Sequence, residues 1–421
     1  MSDSQMITGR LVEHPSWHQK VVLGILSRMK QGRLNLELPN GENLVFGSSN
    51  FDTCPSVQAN IQVRSVEFFK RCVRFGDIGF GEAYTDGLWD TDNIEHVIRW
   101  MILNREANPG LSGSKVHNAL FGLFNGINRL RHLGRDNSRS GSQENISEHY
   151  DLGNELFESF LDPSMTYSSG DFSQGASTLE ESQLAKFDRL AQSVQVKHTD
   201  HVLEIGGGWG AFAIHLGKQY GCKVTTVTVS KHQLKLMKER VAQNGLEERI
   251  DVRFFDYRDI RGQFDKIVSV EMLEAVGHRH LPTFFSVAER VLKPTGLMGV
   301  QVITSADSRY EPIQKSVDWT QKHIFPGSLI PSIGALTDAA RQASGFQIFS
   351  LYDFGPSYAR TLWEWRSRFN ANVAHIKSIG FDQRFIRAWN YYFSYCEAGF
   401  TTRHISVAQI IFTRPNNHEI I

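Results

Sequence analysis

The sequence predicts two domains of different class: a small α+β domain first, then a larger α/β domain on a parallel sheet with helices on both faces. Three observations lead there. The chain has 421 residues, more than one ordinary domain needs. An early segment alternates apolar and polar residues around turn chemistry. From Asp200 onward, short apolar runs alternate with helix-like stretches, the pattern of parallel strands covered by helices.

Leu34, Leu36 and Leu38 alternate with Asn35 and Glu37, and Pro39, Asn40 and Gly41 supply a turn, so a hairpin is expected. Residues 60–73 alternate again and read as strands. Glycines from Gly76 to Gly87 suggest tight turns before a helix over 91–103. Leu120, Phe121, Leu123, Phe124, Ile127, Leu130 and Leu133 form an apolar helical stripe with Arg129, Arg131 and Arg135 at its end. Such a helix suits either a membrane interface or packing on the next domain. Residues 136–143 are rich in Ser, Arg and Gly and read as a linker. The expected division is residues 1–110, then 111–143 as amphipathic helix and linker, then 144–421.

In the second domain, strands are expected at His201–Ile205, 223–229, 250–255, Phe264–Val270, 297–303, 347–352 and Ile405–Thr413. Helices are expected from 212 to 219 and from 231 to 244. Aromatic-rich helical segments at 358–369 and 385–400 interrupt the late strands.

Composition narrows the function. Lys+Arg and Asp+Glu balance at 45 each, so no global field attracts nucleic acid. Cys54, Cys72, Cys222 and Cys396 lie far apart with no paired spacing, which argues against a disulfide framework or zinc site and for a reducing compartment. The first 20 residues are polar, so a secretory signal is not expected. No run of about 18 apolar residues is present to span a bilayer. A cytoplasmic protein is the expectation. His278, Arg279 and His280 read as exposed loop residues rather than metal ligands, and no metal is expected.

The central motif is Glu204-Ile205-Gly206-Gly207-Gly208-Trp209-Gly210, between a strand and a helix. Glycines there let a ligand press against the backbone at a helix start. Gly206, Gly208 and Ala211 formally fit a dinucleotide fingerprint. That ligand needs an acid at the end of the next strand, where Thr226-Val227-Thr228-Val229-Ser230 has none. S-adenosylmethionine fits better, since it lacks a pyrophosphate and its cationic end suits Glu204.

With these residues in place, the sequence resembles the cyclopropane fatty acyl phospholipid synthase family over residues 70–413. The segment His149 to Asn154 resembles the start of that family's catalytic domain. Leu161, Asp162 and Pro163, with Thr166, Tyr167, Ser168 and Ser169, resemble the stretch that wraps the cofactor. Thr228, Ser230 and Gln233 are similar to its ribose-binding turn, and Asp256, Tyr257, Arg258 and Asp259 to its adenine-side segment. The run Val270 to Gly277 resembles the catalytic glutamate segment. Ile324 to Gly327, with Pro331 and Ser332, resembles the entry to a lid, and Gly76 to Trp89 the N-terminal domain of the longer members.

The resemblance implies a class I methyltransferase, Rossmann-like sheet with a helical lid, plus an N-terminal lipid-binding domain. It implies an S-adenosylmethionine-dependent transfer to the double bond of an unsaturated acyl group, taken from phospholipid at the membrane surface, and a homodimer. It further implies bicarbonate as base, held by Glu274, Tyr358, Ile303, Ser169 and Gln301, where the best-known form has cysteine and histidine at the last two positions. Neither Ser169 nor Gln301 carries charge. Transfer leaves a carbocation, which aromatic faces at Tyr167, Trp209, Tyr358 or Phe172 could stabilise. Proton loss from the added methyl closes a cyclopropane; loss from the neighbouring acyl carbon gives a methyl-branched alkene. Ser169 and Gln301 favour expecting the alkene. Glu271 stands three residues before Glu274, and the family favours Glu274 as the working acid. The alternatives are a small-molecule N-methyltransferase and a non-catalytic lipid-binding protein.

Overall fold

The alternating leucines become β1 (Arg33–Glu37), with Leu34 and Leu36 fully buried on one face. A computed structural model describes residues 15–47, 57–107 and 152–419. The apolar stripe and linker of 111–143, Cys54 and the segment 149–151 lie outside the described residues. β1 pairs antiparallel with β2 (Asn43–Gly47) across the expected turn. It also pairs parallel with β3 (Gln58–Val63), and β4 (Trp89–Asp90) closes the order β2-β1-β3-β4.

The strands expected over 60–73 stop at Val63. Beyond it Phe68, Phe69 and Val73 share a face at helical spacing, and all three are buried on the helix Glu67–Thr85. The turns expected between Gly76 and Gly87 fall mostly inside that helix. Gly76 alone breaks it, at φ 58° and ψ −132°. Gly81 serves contact instead: a Cβ there would lie 2.5 Å from Trp319 and 2.7 Å from Tyr391. The helix Ile94–Ala107 starts and ends later than expected.

The larger sheet has the order β10-β11-β9-β8-β5-β6-β7. Its strands are β5 (His201–Ile205), β6 (Lys223–Thr228), β7 (Ile250–Phe254), β8 (Phe264–Val270), β9 (Leu292–Ser305), β10 (Gln347–Asp353) and β11 (Ile405–Thr413). β5 through β9 pair in parallel. β11 runs antiparallel to β9 and β10, so the sheet is mixed at one edge. Alternation of elements does not encode direction. Here the backbone passes from β10 through the helices Gly355–Ala371 and Gln383–Thr401, then returns between β10 and β9. The expected helix after β5 is short, Ala211–His215, and passes into a π-helical turn, Leu216–Tyr220.

Those two late helices carry the aromatic residues read from sequence. Trp365, Phe369, Trp389 and Phe393 are buried and meet Phe160 edge-on or tilted. The same helix Gln383–Thr401 docks the small domain. Arg387 donates to the carbonyls of Tyr84 (2.7 Å) and Trp89 (2.9 Å), and lies 3.9 Å over the Tyr84 ring. Lys322 and His323 both bond Glu82, at 2.6 and 3.0 Å. Burial raises the Glu82 carboxyl, but these two partners outweigh it and hold it at about 2.

Gly81→Ala is expected to destabilise the protein by about 1–3 kcal/mol, because rigid Trp319 and Tyr391 must move. Gly24→Ala, which meets nothing within 4 Å, is the control and leaves the thermal midpoint unchanged or raised. Equal midpoints for the two variants would remove the steric argument.

Candidate active site

β5 lies between β8 and β6, where the strand order reverses, so the crevice at its carboxyl end is the ligand site this topology offers. Gly206, Gly208 and Gly210 follow with φ of 89°, 52° and 88°. Gly207 cannot be larger, since a Cβ would sit 2.1 Å from the Thr226 hydroxyl. Gly208 has nothing within 4 Å and opens onto the crevice. Glu204 is buried beneath the loop, accepting a 2.6 Å bond from Thr226. Burial raises its carboxyl to about 7 against that bond. A buried acid so raised favours a cationic ligand.

Beyond β6, Thr228 donates to Gln233 (2.8 Å) and accepts from the Ser230 N–H (3.1 Å). Ser230 caps the helix Lys231–Gln243 by accepting from the Gln233 N–H. This is a neutral polar turn. Beyond β7, Asp256 accepts three bonds from Arg258, at 2.8 to 2.9 Å. Burial pushes neighbouring Tyr257 up to about 12. The glycine cradle, neutral turn and Glu204 together fit S-adenosylmethionine; Glu204, Gly206, Gly208, Thr228 and Gln233 line one cavity, while Gly210 packs on Met237 and Ser230 caps its helix behind it.

The opposite wall comes from the segment before the helix Leu179–Ser193. Tyr167 shares a 3.0 Å hydroxyl bond with Tyr392. Ser168 bonds the ammonium of Lys186, a residue sequence reading missed. Lys186 is fully buried, and burial lowers it to about 7 against the pull of Glu271. Its helical spacing puts it on one buried face with Leu179, Ser182, Gln183, Phe187 and Leu190, which signals burial but not a place in the site.

Between the walls sit two carboxylates. Glu271 leaves β8 with φ of 47°, a left-handed conformation uncommon for glutamate. Its Oε1 accepts from the Ser169 N–H (2.9 Å) and Gln301 Nε2 (2.8 Å), and its Oε2 from the Tyr358 hydroxyl (2.6 Å). Glu274 accepts from the Ile303 N–H at 2.5 Å through Oε1. Its Oε2 is buried without a hydrogen-bond partner among the described residues. Burial, then repulsion from Glu271, holds Glu274 well above the usual carboxylate range, against the Ile303 bond.

The five residues expected to bind bicarbonate are thus together, but the anion among them is Glu271. The Ser169 hydroxyl turns away and donates to the Gly170 carbonyl (2.9 Å), leaving its N–H to face the site. Gln301 donates inward and accepts from Gln409 (3.1 Å). With the Ser169, Gln301 and Tyr358 donors engaged, a separate bicarbonate does not fit this arrangement. Of the candidate aromatic faces, Tyr167, Trp209 and Tyr358 line the cavity. Phe172 packs under Arg360 at 4.1 Å.

Comparison with known proteins points to one family. The family model for mycolic acid cyclopropane synthetase matches residues 137–410. The protein is 37% identical to a tuberculostearic acid methyltransferase of Mycobacterium tuberculosis, over 81% of its own length and 79% of that protein. It is 34% identical to the cyclopropane-fatty-acyl-phospholipid synthase of Escherichia coli strain K12, over 85% and 89%. The mycolic acid cyclopropane synthase CmaA1, complexed with SAH and CTAB, superposes with a TM-score of 0.60 at 28% identity, covering 65% of this protein and 98% of that one.

Lys186 generates a stability test. Its folded value is depressed from 10.5 to about 7, so between these pH values the unfolded protein holds a proton that the folded protein lacks. Its contribution is complete above 10.5 and is lost as pH falls to about 7. Denaturant titrations across that window should show Lys186→Met flattening the pH dependence by up to about 1.4 kcal/mol per pH unit. Parallel wild-type and variant curves would place the charge elsewhere.

Proposed function

We propose that this protein, which belongs to the mycolic acid cyclopropane synthetase family and is an S-adenosylmethionine-dependent C-methyltransferase, acts on the double bond of an unsaturated fatty acyl group of phospholipid. The carrying observation is the cavity. It has a volume of about 1330 Å³ and runs from Glu274 and the glycine loop to Val22, Leu26, Met29 and Met101 of the small domain. Pockets for small ligands hold about 300–1,000 Å³. Space for a cofactor and a long apolar tail together explains both the size and the apolar lining. A small-molecule amine acceptor would leave the small domain's share of that cavity without use.

S-adenosylmethionine supplies a methyl group on a sulfonium that departs as a neutral thioether. In this reading Gly206, Gly208 and Gly210 take it against bare backbone, and Thr228, Ser230 and Gln233 hold its ribose. Asp256, Tyr257 and Arg258 flank the base, and Tyr167 and Ser168 close the other side. Buried Glu204 pairs with its ammonium. The walls exclude water, which an alkene needs in order to compete as nucleophile. Tyr358, stacked 4.3 Å from Phe400, offers an aromatic face to the cation that forms on the acyl group. Among the described residues no helix is long and apolar enough to cross a membrane. In this reading the acyl group is reached from the bilayer surface.

Expression in a bacterium with monounsaturated lipids and no cyclopropane synthase tests this. Mass spectrometry of fatty acid methyl esters should show a species heavier by one CH₂. Mild hydrogenation then separates a methyl-branched alkene, the expected product, from a ring. No mass gain would rule out the acyl acceptor. Glu204 gives a second test: a cationic ligand lowers its raised carboxyl, so cofactor binding releases a proton. Calorimetry should show affinity falling as pH drops below about 7 in the wild type, and a weaker, flatter profile in Glu204→Gln. A flat wild-type profile would separate Glu204 from the ammonium.

A further inference from the structure

We infer that the base which completes the reaction is Glu271, a carboxylate of the protein itself standing among the donors expected to hold bicarbonate. This rests on the acyl-methylation reading above and names a residue that reading leaves without a role.

The geometry carries it. Three donors converge on one point between the cofactor loop and the cavity: the Ser169 N–H, Gln301 Nε2 and the Tyr358 hydroxyl. They come from three separate parts of the fold, and every one of them donates. Such a constellation is an anion receptor. Glu271 fills it from within, reaching it through the left-handed φ of 47° that turns its side chain inward off β8. A strained glutamate at a strand end needs surroundings that hold it there, and strain of this kind gathers at functional sites.

A carboxylate offers about four acceptor positions, and the three bonds leave one of them, on Oε2, free. Glu271 lines the cavity beside Glu274, whose own Oε2 is buried and, among the described residues, unpartnered. Glu274 is pushed toward its neutral form by burial and by Glu271, so the two acids take different roles. Glu271, with three donors aimed at it, is the acceptor, and Glu274 beside it is held toward its neutral form. Gln301 cannot titrate, and Gln409 fixes its amide so that the NH₂ faces Glu271.

The step balances without a co-reactant. The alkene pair forms the new C–C bond to the methyl carbon, and the S–C pair stays on sulfur. Then either a C–H pair of the added methyl becomes the ring C–C bond, or a C–H pair of the acyl carbon next to the cation becomes the C=C bond, and the proton passes to Glu271 Oε2. A base fixed to β8 reaches one set of hydrogens only, which makes product choice a property of the protein.

The test compares wild type, Glu271→Gln and Glu271→Gly in buffer stripped of carbon dioxide. Wild type should keep its turnover, within about twofold, whether or not bicarbonate is added back. Glu271→Gln should lose about 10²–10⁴-fold, the usual worth of a positioned base, while binding S-adenosylmethionine as wild type does. Glu271→Gly empties the receptor, so labelled bicarbonate should bind it and restore part of its activity. The same titration should show no bicarbonate bound by wild type. That binding measurement is independent of turnover, so it stands even if no acyl product is found, which would count against the acyl-methylation reading instead. Bicarbonate bound by wild type, or turnover that falls on its removal and returns with it, would overturn the inference. So would full activity in Glu271→Gln.

Discussion

A carboxylate buried at the carboxyl edge of a parallel sheet must either be paired with donors or give up its charge. The active end of this molecule is arranged around that constraint. Glu271 is paired: a backbone N–H, an amide and a phenol all aim at it. Glu274 has one donor and is driven toward neutrality. Glu204, beneath the glycine loop, has one hydroxyl partner and is likewise raised. Lys186 is the buried counterpart of opposite sign, and it too is pushed toward its uncharged form. Glu204, Glu274 and Lys186 are buried, Glu271 is half-buried beside them, and the three glutamates each have a place in the proposed chemistry.

The aromatic helices make such a region possible. Trp365, Phe369, Trp389 and Phe393 build an apolar wall behind Tyr167 and Tyr358, and the same helix Gln383–Thr401 clamps the small domain through Arg387. Docking the small domain there extends the cavity and lengthens its apolar lining. Packing and the reach of the cavity are consequences of one interface.

Much of the site was legible because its motifs are local. The glycines, the Thr228 to Gln233 turn, and the pair Glu271 and Glu274 each lie within a few residues, and backbone geometry dictates the residue type. The strands of the α/β domain were legible for the same reason, since burial on both faces leaves short apolar runs. What failed was non-local. Residues 64–73 read as strand because two periods overlap over so short a span, and only packing against the small sheet selects the helix. The direction of β11 depends on where the backbone returns, and no residue in Ile405–Thr413 encodes that.

The roles of the acids divide the same way. The order of residues is enough to establish that two glutamates follow β8 and that a glycine loop follows β5; the family resemblance adds that Ser169 and Gln301 stand where charged partners are expected. Residue order could not rank Glu271 against Glu274, nor see Lys186 as part of the site. Those contacts are made only by folding. The donors to Glu271 come from positions 169, 301 and 358, and the group that bonds Ser168 lies on a separate helix. Charge and hydrogen bonding act through space at about 3 Å, and only the folded protein brings residues so far apart in sequence to that distance.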